Sequence, residues 1–426
     1  MSLKAELLGR LKGKKIAIWG ARMTGLGFAR FLKEHTSSDL LSFIDSDASL
    51  HNKKINGVGI NSLEHLKELK KEYPELLVVI AVSLKESEIT LLLNSVGIYE
   101  NDYLIYSQYA KDFYTVDVVG SCNLKCPSCA HGASGMESPM GVMPYESFEK
   151  VTQKMLQESE ILSHVSLYSW GEPLLHPKLD VIIEHMHKQG IAVAISSNLS
   201  IESQKQLDRV VKSAPDYFKV SISGFYDEAY NDTHTGGDIK LVKSNLYRLR
   251  YLIDRYKVST LVDVNYHLYN NNCKKNLTMM QELCKELDFS LSSTYSLVMP
   301  LERVINHCEG NTHPEVQTLD NKLLVTIDEG IKASAGVELE DCPFRTNQVN
   351  INWDLSVPVC CTVYNRNLDT LLTTNYLEMP LREITQKKYD VSLCKKCMAY
   401  GLPAYNMGFN HSKWKEIAQT KECFDA

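Results

Sequence analysis

The run Cys122-Asn-Leu-Lys-Cys126-Pro-Ser-Cys129 sets three thiols inside one short loop. A loop this tight can converge three thiolates on one soft metal centre. Three thiolates leave one iron of a [4Fe–4S] cluster without a protein ligand, and an open iron invites a small molecule. The same thiols with His131 as fourth ligand would also satisfy a structural zinc site. A second set follows downstream: Cys342, the pair Cys360-Cys361, and Cys394-Lys-Lys-Cys397. Four ligands, Cys342, Cys360, Cys394 and Cys397, close a site completely, so a cluster held this way has no free iron and is suited to electron transfer. A zinc knot would accept the same four thiolates. Cys361 could stand in for Cys360; spacing from the preceding turn favours Cys360. Cys273, Cys284, Cys308 and Cys423 read as ordinary buried or surface thiols.

These residues sit in a chain of 426 residues, long enough for two or three domains. The net charge is −6 and no Lys/Arg-rich tract occurs, which speaks against a nucleic-acid partner. No apolar run approaches the length of a membrane span, and the first residues lack the apolar core of a signal peptide. With 12 cysteines grouped at metal-ligand spacings, the expectation is metal binding in a reducing cytoplasm rather than a disulfide framework.

Three regions must position the thiols. Over residues 1–110, a strand at Lys15–Trp19 runs into Gly20-Ala-Arg-Met-Thr-Gly25-Leu-Gly27, a helical pattern carrying Phe28, Phe31 and Leu32, and a second strand ending at Asp45. That order is the layout of a nucleotide-binding βαβ unit. Arg22 stands where the second glycine of GxGxxG would let backbone approach a pyrophosphate. It is open to pairing with a phosphate or to being a surface arginine. Over 111–300, six strand-then-helix units follow, with strands near Thr115–Val119, His164–Tyr168, Ala192–Ser196, Tyr217–Ile222, Leu261–Tyr266 and Phe289–Tyr295. Alternation of this kind predicts a parallel sheet with right-handed crossovers, and six units are too few to close an eight-stranded barrel. Over 301–426, the stretch Asn347–Val359 alternates like a hairpin with Asp354-Leu355 at its turn.

At the CxxxCxxC loop the chain resembles the radical S-adenosylmethionine (SAM) enzymes. The resemblance implies a SAM-binding [4Fe–4S] cluster on Cys122, Cys126 and Cys129. It also implies an α/β fold built on a partial (βα)6 TIM-like barrel, with the N-terminal Rossmann-like domain and a small cysteine-rich C-terminal domain of the twitch/SPASM kind. Three further strand ends match by position. Tyr168-Ser-Trp-Gly171-Glu172-Pro173 is similar to the family's GGE(P) segment, with Trp170 for the first glycine. Its backbone at Gly171 and the Glu172 carboxylate would hold the SAM amino group. Ser197 and Asn198 lie where the family often has Thr-Asn-Gly, with Leu199 for the glycine. Ser221 and Ser223 lie where a polar residue contacts the ribose or the methionine carboxylate. Ser197, Asn198 and Ser223 could equally cap the helices that follow. Cys342, the hairpin, Cys360 and the closing CxxC resemble a single-cluster twitch domain, with Leu355 for the glycine usual at the turn.

The activity implied is reductive cleavage of SAM to a 5′-deoxyadenosyl radical that takes hydrogen from a small molecule. A closed auxiliary [4Fe–4S] cluster suits net oxidation of a sugar, aminocyclitol or nucleotide-linked sugar, with a flavodoxin- or ferredoxin-type electron donor. Maturation of a peptide or protein is a second reading, and a non-catalytic iron–sulfur sensor a third. The N-terminal domain resembles those beside sugar-modifying enzymes and is open to binding a nucleotide-linked sugar or only to packing. His176 reads as structural, and the loop Gly132–Met143 as a cover or a connection. Tyr168, Tyr266 and His267 lie near the expected cavity, but sequence singles out no proton-transfer residue.

Overall fold

The computed structural model describes residues 2–82, 84–136, 140–337, 339–366, 369–421 and 423. Part of the loop Gly132–Met143, residues 137–139, lies outside them. In the N-terminal part, β1 (Lys15–Trp19), β2 (Asp39–Ile44), β3 (Lys54–Ile55), β4 (Val58–Asn61), β5 (Leu77–Ile80) and β6 (Tyr103–Ile105) form one sheet in the order β3-β4-β2-β1-β5-β6. β3 and β4 pair antiparallel and the other pairs are parallel. β1 is apolar on both sides because both sides are covered: Ile16 and Ile18 enter one core, Ala17 and Trp19 the other.

The second sheet is entirely parallel. Its strands are β7 (Phe113–Val116), β8 (His164–Ser166), β9 (Ala192–Ser197), β10 (Tyr217–Ile222), β11 (Leu261–Leu268), β12 (Ser290–Tyr295) and β13 (Gln348–Ile351), in the order β12-β11-β10-β9-β8-β7-β13. This is the open, TIM-like parallel core. Alternation sets its inside and outside. On β10, Phe218, Val220 and Ile222 pack outward into the main core under the helices, while Lys219 and Ser221 face inward onto a cavity. The helix Tyr145–Glu158 shows the matching 3.6-residue period, burying Phe148, Val151, Thr152 and Met155.

β13 corrects one expectation. Gln348–Ile351 does not pair with the following segment as a hairpin; it adds a seventh strand to the barrel, parallel to β7. The next short strand, β14 (Val357–Pro358), pairs with β15 (Leu371–Thr373) instead. The turn between them is real: Leu355 N–H donates to Asn352 O at 2.9 Å, and Leu355 has φ 70°. Only a left-handed residue closes this turn, which explains why glycine would suit the position. Cys273 and Cys423 also depart from expectation, since they are joined in a disulfide.

The N-terminal sheet docks on the N-terminal ends of the barrel strands, and its core runs on into Ile161, Ala194, Tyr217 and Leu261. Its glycines are spent on packing. A Cβ on Gly25 would lie 1.8 Å from Gly20 O, and one on Gly27 would lie 2.9 Å from the Cβ of His164 at the start of β8. Arg22 is neither free for phosphate nor a lone surface arginine: its guanidinium bridges Asp47 at 2.5 Å and Asp263 of β11 at 3.2 Å. Arg30 similarly holds Asp216 at 2.7 Å. Among the described residues no helix is long and apolar enough to cross a membrane.

Candidate functional site

The loop after β7 is held by backbone rather than by its thiols. Lys125 N–H donates to Thr235 O at 2.9 Å, Met299 N–H to Ser128 O at 3.0 Å, and Arg303 Nη1 to Pro127 O at 2.8 Å. Cys129 N–H turns back to Cys126 O at 3.0 Å. Gly132 is needed for that fold, because a Cβ there would lie 2.3 Å from Cys126 O. Cys122, Cys126 and Cys129 all line one cavity of about 690 Å³ at the C-terminal ends of the barrel strands. Two N–H groups point at Cys122 Sγ: Leu124 N at 3.5 Å and Asn198 Nδ2 at 3.7 Å. Burial pushes the Cys122 thiol up to about 12, and raises Cys126 and Cys129 as well. Three thiols in such surroundings become thiolates when a cation draws them. Among the described residues no three Cys, His, Asp or Glu side chains are gathered tightly enough to chelate a single ion; the thiols stand around a space.

The strand-end residues divide. A Cβ on Gly171 would lie 1.6 Å from Val119 O, so the approach of the β8 loop to the β7 loop at this point requires a glycine. The amides of Trp170 and Gly171 both donate to the buried Asp117 carboxylate at 3.2 Å, a brace that sequence reasoning missed because a lone acid at a strand end carries no motif. Glu172, 2% exposed, accepts from Leu174 N at 3.0 Å and Asn198 N at 2.8 Å, and burial pushes it up to about 7. It therefore stitches β8 to β9 as well as lining the cavity. Asn198 donates to Asn123 Oδ1 at 2.9 Å and accepts from Ser200 N at 2.8 Å, tying the β9 end to the cysteine loop. Ser197 Oγ accepts from Leu199 N at 2.9 Å, and Leu199 has φ 55°, again the left-handed region where glycine is easiest. Gly171, Glu172, Ser197, Asn198 and Ser221 all reach the cavity; Ser221 Oγ lies 3.2 Å from Ser196 Oγ. Ser223 is the exception. It is fully buried, bonded to Thr233 Oγ1 at 2.5 Å and His234 Nδ1 at 2.8 Å, and these two line the cavity in its place. Tyr168 and His267 line the cavity, whereas Tyr266 faces the core and bonds Asn272 O. His176 is buried and bonded to Met143 O, a structural setting.

The second cysteine set surrounds a much smaller space, about 30 Å³. Cys342 caps the short helix Pro343–Thr346, and Cys394 and Cys397 share one face of the helix Ser392–Ala399. Cys360 lines the space with them and Cys361 does not. The Cys361 thiol bonded to Cys360 holds Cys360 below the ordinary thiol range and is itself pushed up. Leu301, Phe344, Val359, Val363 and Leu393 make much of the remaining wall apolar, with Arg345, Thr362 and Asn406 as polar exceptions. Cations stand beside these thiols: Arg345 lines the space and pairs with Asp341, and Lys388, 1% exposed, donates to Phe344 O and Gln348 O and feels Cys360, Cys394, Cys361 and Cys342. A buried ammonium calls for negative charge nearby, and thiolates ligating a cluster supply it. The two spaces share a wall. Thr362 and Asn406 line both, Leu301 N–H donates to Thr362 O at 2.8 Å, and Thr362 Oγ1 lies 3.3 Å from Cys360 Sγ.

Residues 116–266 match the radical SAM superfamily profile. A tungsten-containing aldehyde ferredoxin oxidoreductase cofactor-modifying protein of Pyrococcus furiosus is 26% identical over 109 residues, 25% of this chain and 30% of that protein, so the alignment spans less than a third of the relative. Among solved structures, anSMEcpe with bound AdoMet superposes over 72% of this chain and 97% of its own, at 16% identity and TM-score 0.45. SuiB of Streptococcus suis bound to S-adenosylmethionine covers 76% and 83%, at 14% and 0.46. BtrN in complex with AdoMet and 2-DOIA covers 67% and 87%, at 15% and 0.38.

Proposed function

We propose that this chain, residues 116–266 of which form a radical SAM domain, is an enzyme that takes a hydrogen atom from a small-molecule substrate and oxidises it. The observation that carries the reading is the convergence of three loop thiols with Glu172 and Asn198 on one cavity. When bound, a [4Fe–4S] cluster with SAM supplies reductive cleavage to a 5′-deoxyadenosyl radical. Cys122, Cys126 and Cys129 are the ligands of that cluster, and the donors at Cys122 Sγ spread its thiolate charge. Glu172, ionised, pairs with the SAM ammonium; Gly171 leaves room for the backbone to approach; Ser197 and Ser221 offer hydroxyls to its carboxylate or ribose. About 690 Å³ suits a small substrate beside SAM.

Cys342, Cys360, Cys394 and Cys397 hold the auxiliary cluster in this reading, with Lys388 stabilising its negative charge. The wall formed by Thr362 then connects the two centres for removal of an electron, as in turning an alcohol of a sugar into a ketone. A flavodoxin- or ferredoxin-type protein is the electron donor. The N-terminal sheet packs against the barrel, and its Gly27 and Arg22 serve that contact. The test is iron and sulfide content of anaerobically reconstituted protein, with 5′-deoxyadenosine assayed after reduction in the presence of SAM. About eight irons in the wild type and about four in the Cys122/Cys126/Cys129→Ala triple variant, with nucleoside formation lost, is the expected result. Zinc in place of iron, or nucleoside formation surviving the triple change, would sink the proposal.

A further inference from the structure

The floor of the cavity carries a cation that none of the roles above uses. Lys219 projects inward from β10, two residues below Ser221, and lines the cavity with Ser196, Asn265, His267 and Tyr168. Its ammonium feels Asp263 on the neighbouring strand, though the two make no direct ion pair or hydrogen bond. The charge nearest to it in the fold, Asp263 on β11, is already engaged from below by Arg22 at 3.2 Å, Tyr217 OH at 2.6 Å, Ser290 Oγ at 3.2 Å and Ser292 Oγ at 3.1 Å. His267 offers no negative charge either. Its Nε2 lies 2.9 Å from Asn265 Oδ1, an atom that only accepts, so Nε2 carries the proton. Burial beside Lys219 and His234 pushes His267 down to about 3, so it stays neutral. Glu172, the remaining acid of the cavity, sits at the β8 end with its oxygens on backbone amides.

A half-buried ammonium that lines a cavity with no acid in direct contact has lost part of its hydration, and an anion entering the cavity restores what it lacks. We propose that Lys219 pairs with an anionic oxygen group of the substrate, a carboxylate or a phosphate, at the cavity floor. The hydroxyl of Ser196, the residue paired with Lys219 on the neighbouring strand, lines the cavity and stands ready to donate to the same group. Burial lowers the lysine from its ordinary value, which an arriving anion reverses. This rests on the reading of the cavity as the radical SAM site and narrows its substrates to acidic ones: a uronate or a phosphorylated sugar fits, and a cationic aminocyclitol is repelled by the floor.

The test uses the reconstituted holoenzyme and two probes, acetate and inorganic phosphate, followed by ¹³C and ³¹P line broadening at constant ionic strength with chloride as the balancing salt. Wild type and Lys219→Arg are expected to bind one probe saturably, and Lys219→Met and Lys219→Gln at least about tenfold more weakly. Which probe binds separates a carboxylate from a phosphate site. Absence of saturable binding to wild type, or equal binding by the Met and Gln variants, overturns the proposal. Equilibrium dialysis with SAM on the same samples keeps the two readings apart: retained SAM binding shows the variants folded, and a wild type that binds no SAM sinks the radical reading while the anion result still decides Lys219.

Discussion

The two cysteine sites use the same ligand atom in opposite surroundings. The three thiols of the β7 loop face a wide cavity of about 690 Å³ among hydroxyls, amides and a carboxylate; the other four enclose about 30 Å³ between largely apolar walls. The first leaves a coordination position and the space to use it. The second leaves neither, and adds Lys388 to stabilise charge. In the proposed reading, an open centre for chemistry and a closed one for electrons follow from this difference in surroundings rather than from the cysteines themselves.

The comparison breaks most sharply if the sites are not independent. Cys394→Ala with Cys397→Ala is expected to remove about four irons, abolish substrate oxidation and leave 5′-deoxyadenosine formation standing. Loss of nucleoside formation in that variant would mean that the closed site is needed to build the open one. Next in size is Lys388→Met. Deleting a positive charge disfavours the more negative, reduced form, so the auxiliary potential should fall by on the order of 50–100 mV in an EPR-monitored titration, with the first cluster unmoved.

Glu172→Gln sharpens the open side. SAM affinity should drop about tenfold, read by equilibrium dialysis. The wild type also carries a pH signature: with Glu172 raised to about 7, its carboxylate is largely protonated at pH 6 and ionised at pH 8, so SAM binding should strengthen upward through that window. The glutamine variant should be flat. The smallest effect on chemistry belongs to Gly27→Ala, whose Cβ meets His164; stability should fall by about 1–3 kcal/mol in thermal unfolding while nucleoside formation persists. Lost nucleoside formation in a folded Gly27→Ala protein would give the N-terminal sheet a role in the open site.

The order of strands and helices was legible because period and punctuation are local. β10 falls at Tyr217–Ile222 as read, and β9 at Ala192–Ser197, within one residue of its reading. Leu199 and Leu355, read as standing at glycine positions, both adopt positive φ, so the backbone demand survives the change of residue. What escaped was whatever depends on distant packing. Gln348–Ile351 has the alternation of a hairpin strand, yet the exposed edge of β7 pairs with it. Ser223 has the residue type and register of a ligand contact, but Thr233 and His234 fold in front of it. Asp117 and Lys219 are single polar residues in apolar runs, and Lys388 lies in the polar stretch Gln386-Lys-Lys-Tyr-Asp390, so nothing in their neighbours announces burial.

Arg22 carries a consequence beyond the joint it makes. The turn where a nucleotide-binding unit would meet phosphate oxygens here meets the Asp263 carboxylate, so one domain serves as the other's counter-ion. Asp263 would otherwise be the natural mate of Lys219. By holding that acid from outside, a domain that builds no wall of the cavity determines the sign of its interior, and any shift of the joint would be felt as a change in electrostatic selectivity at the barrel floor.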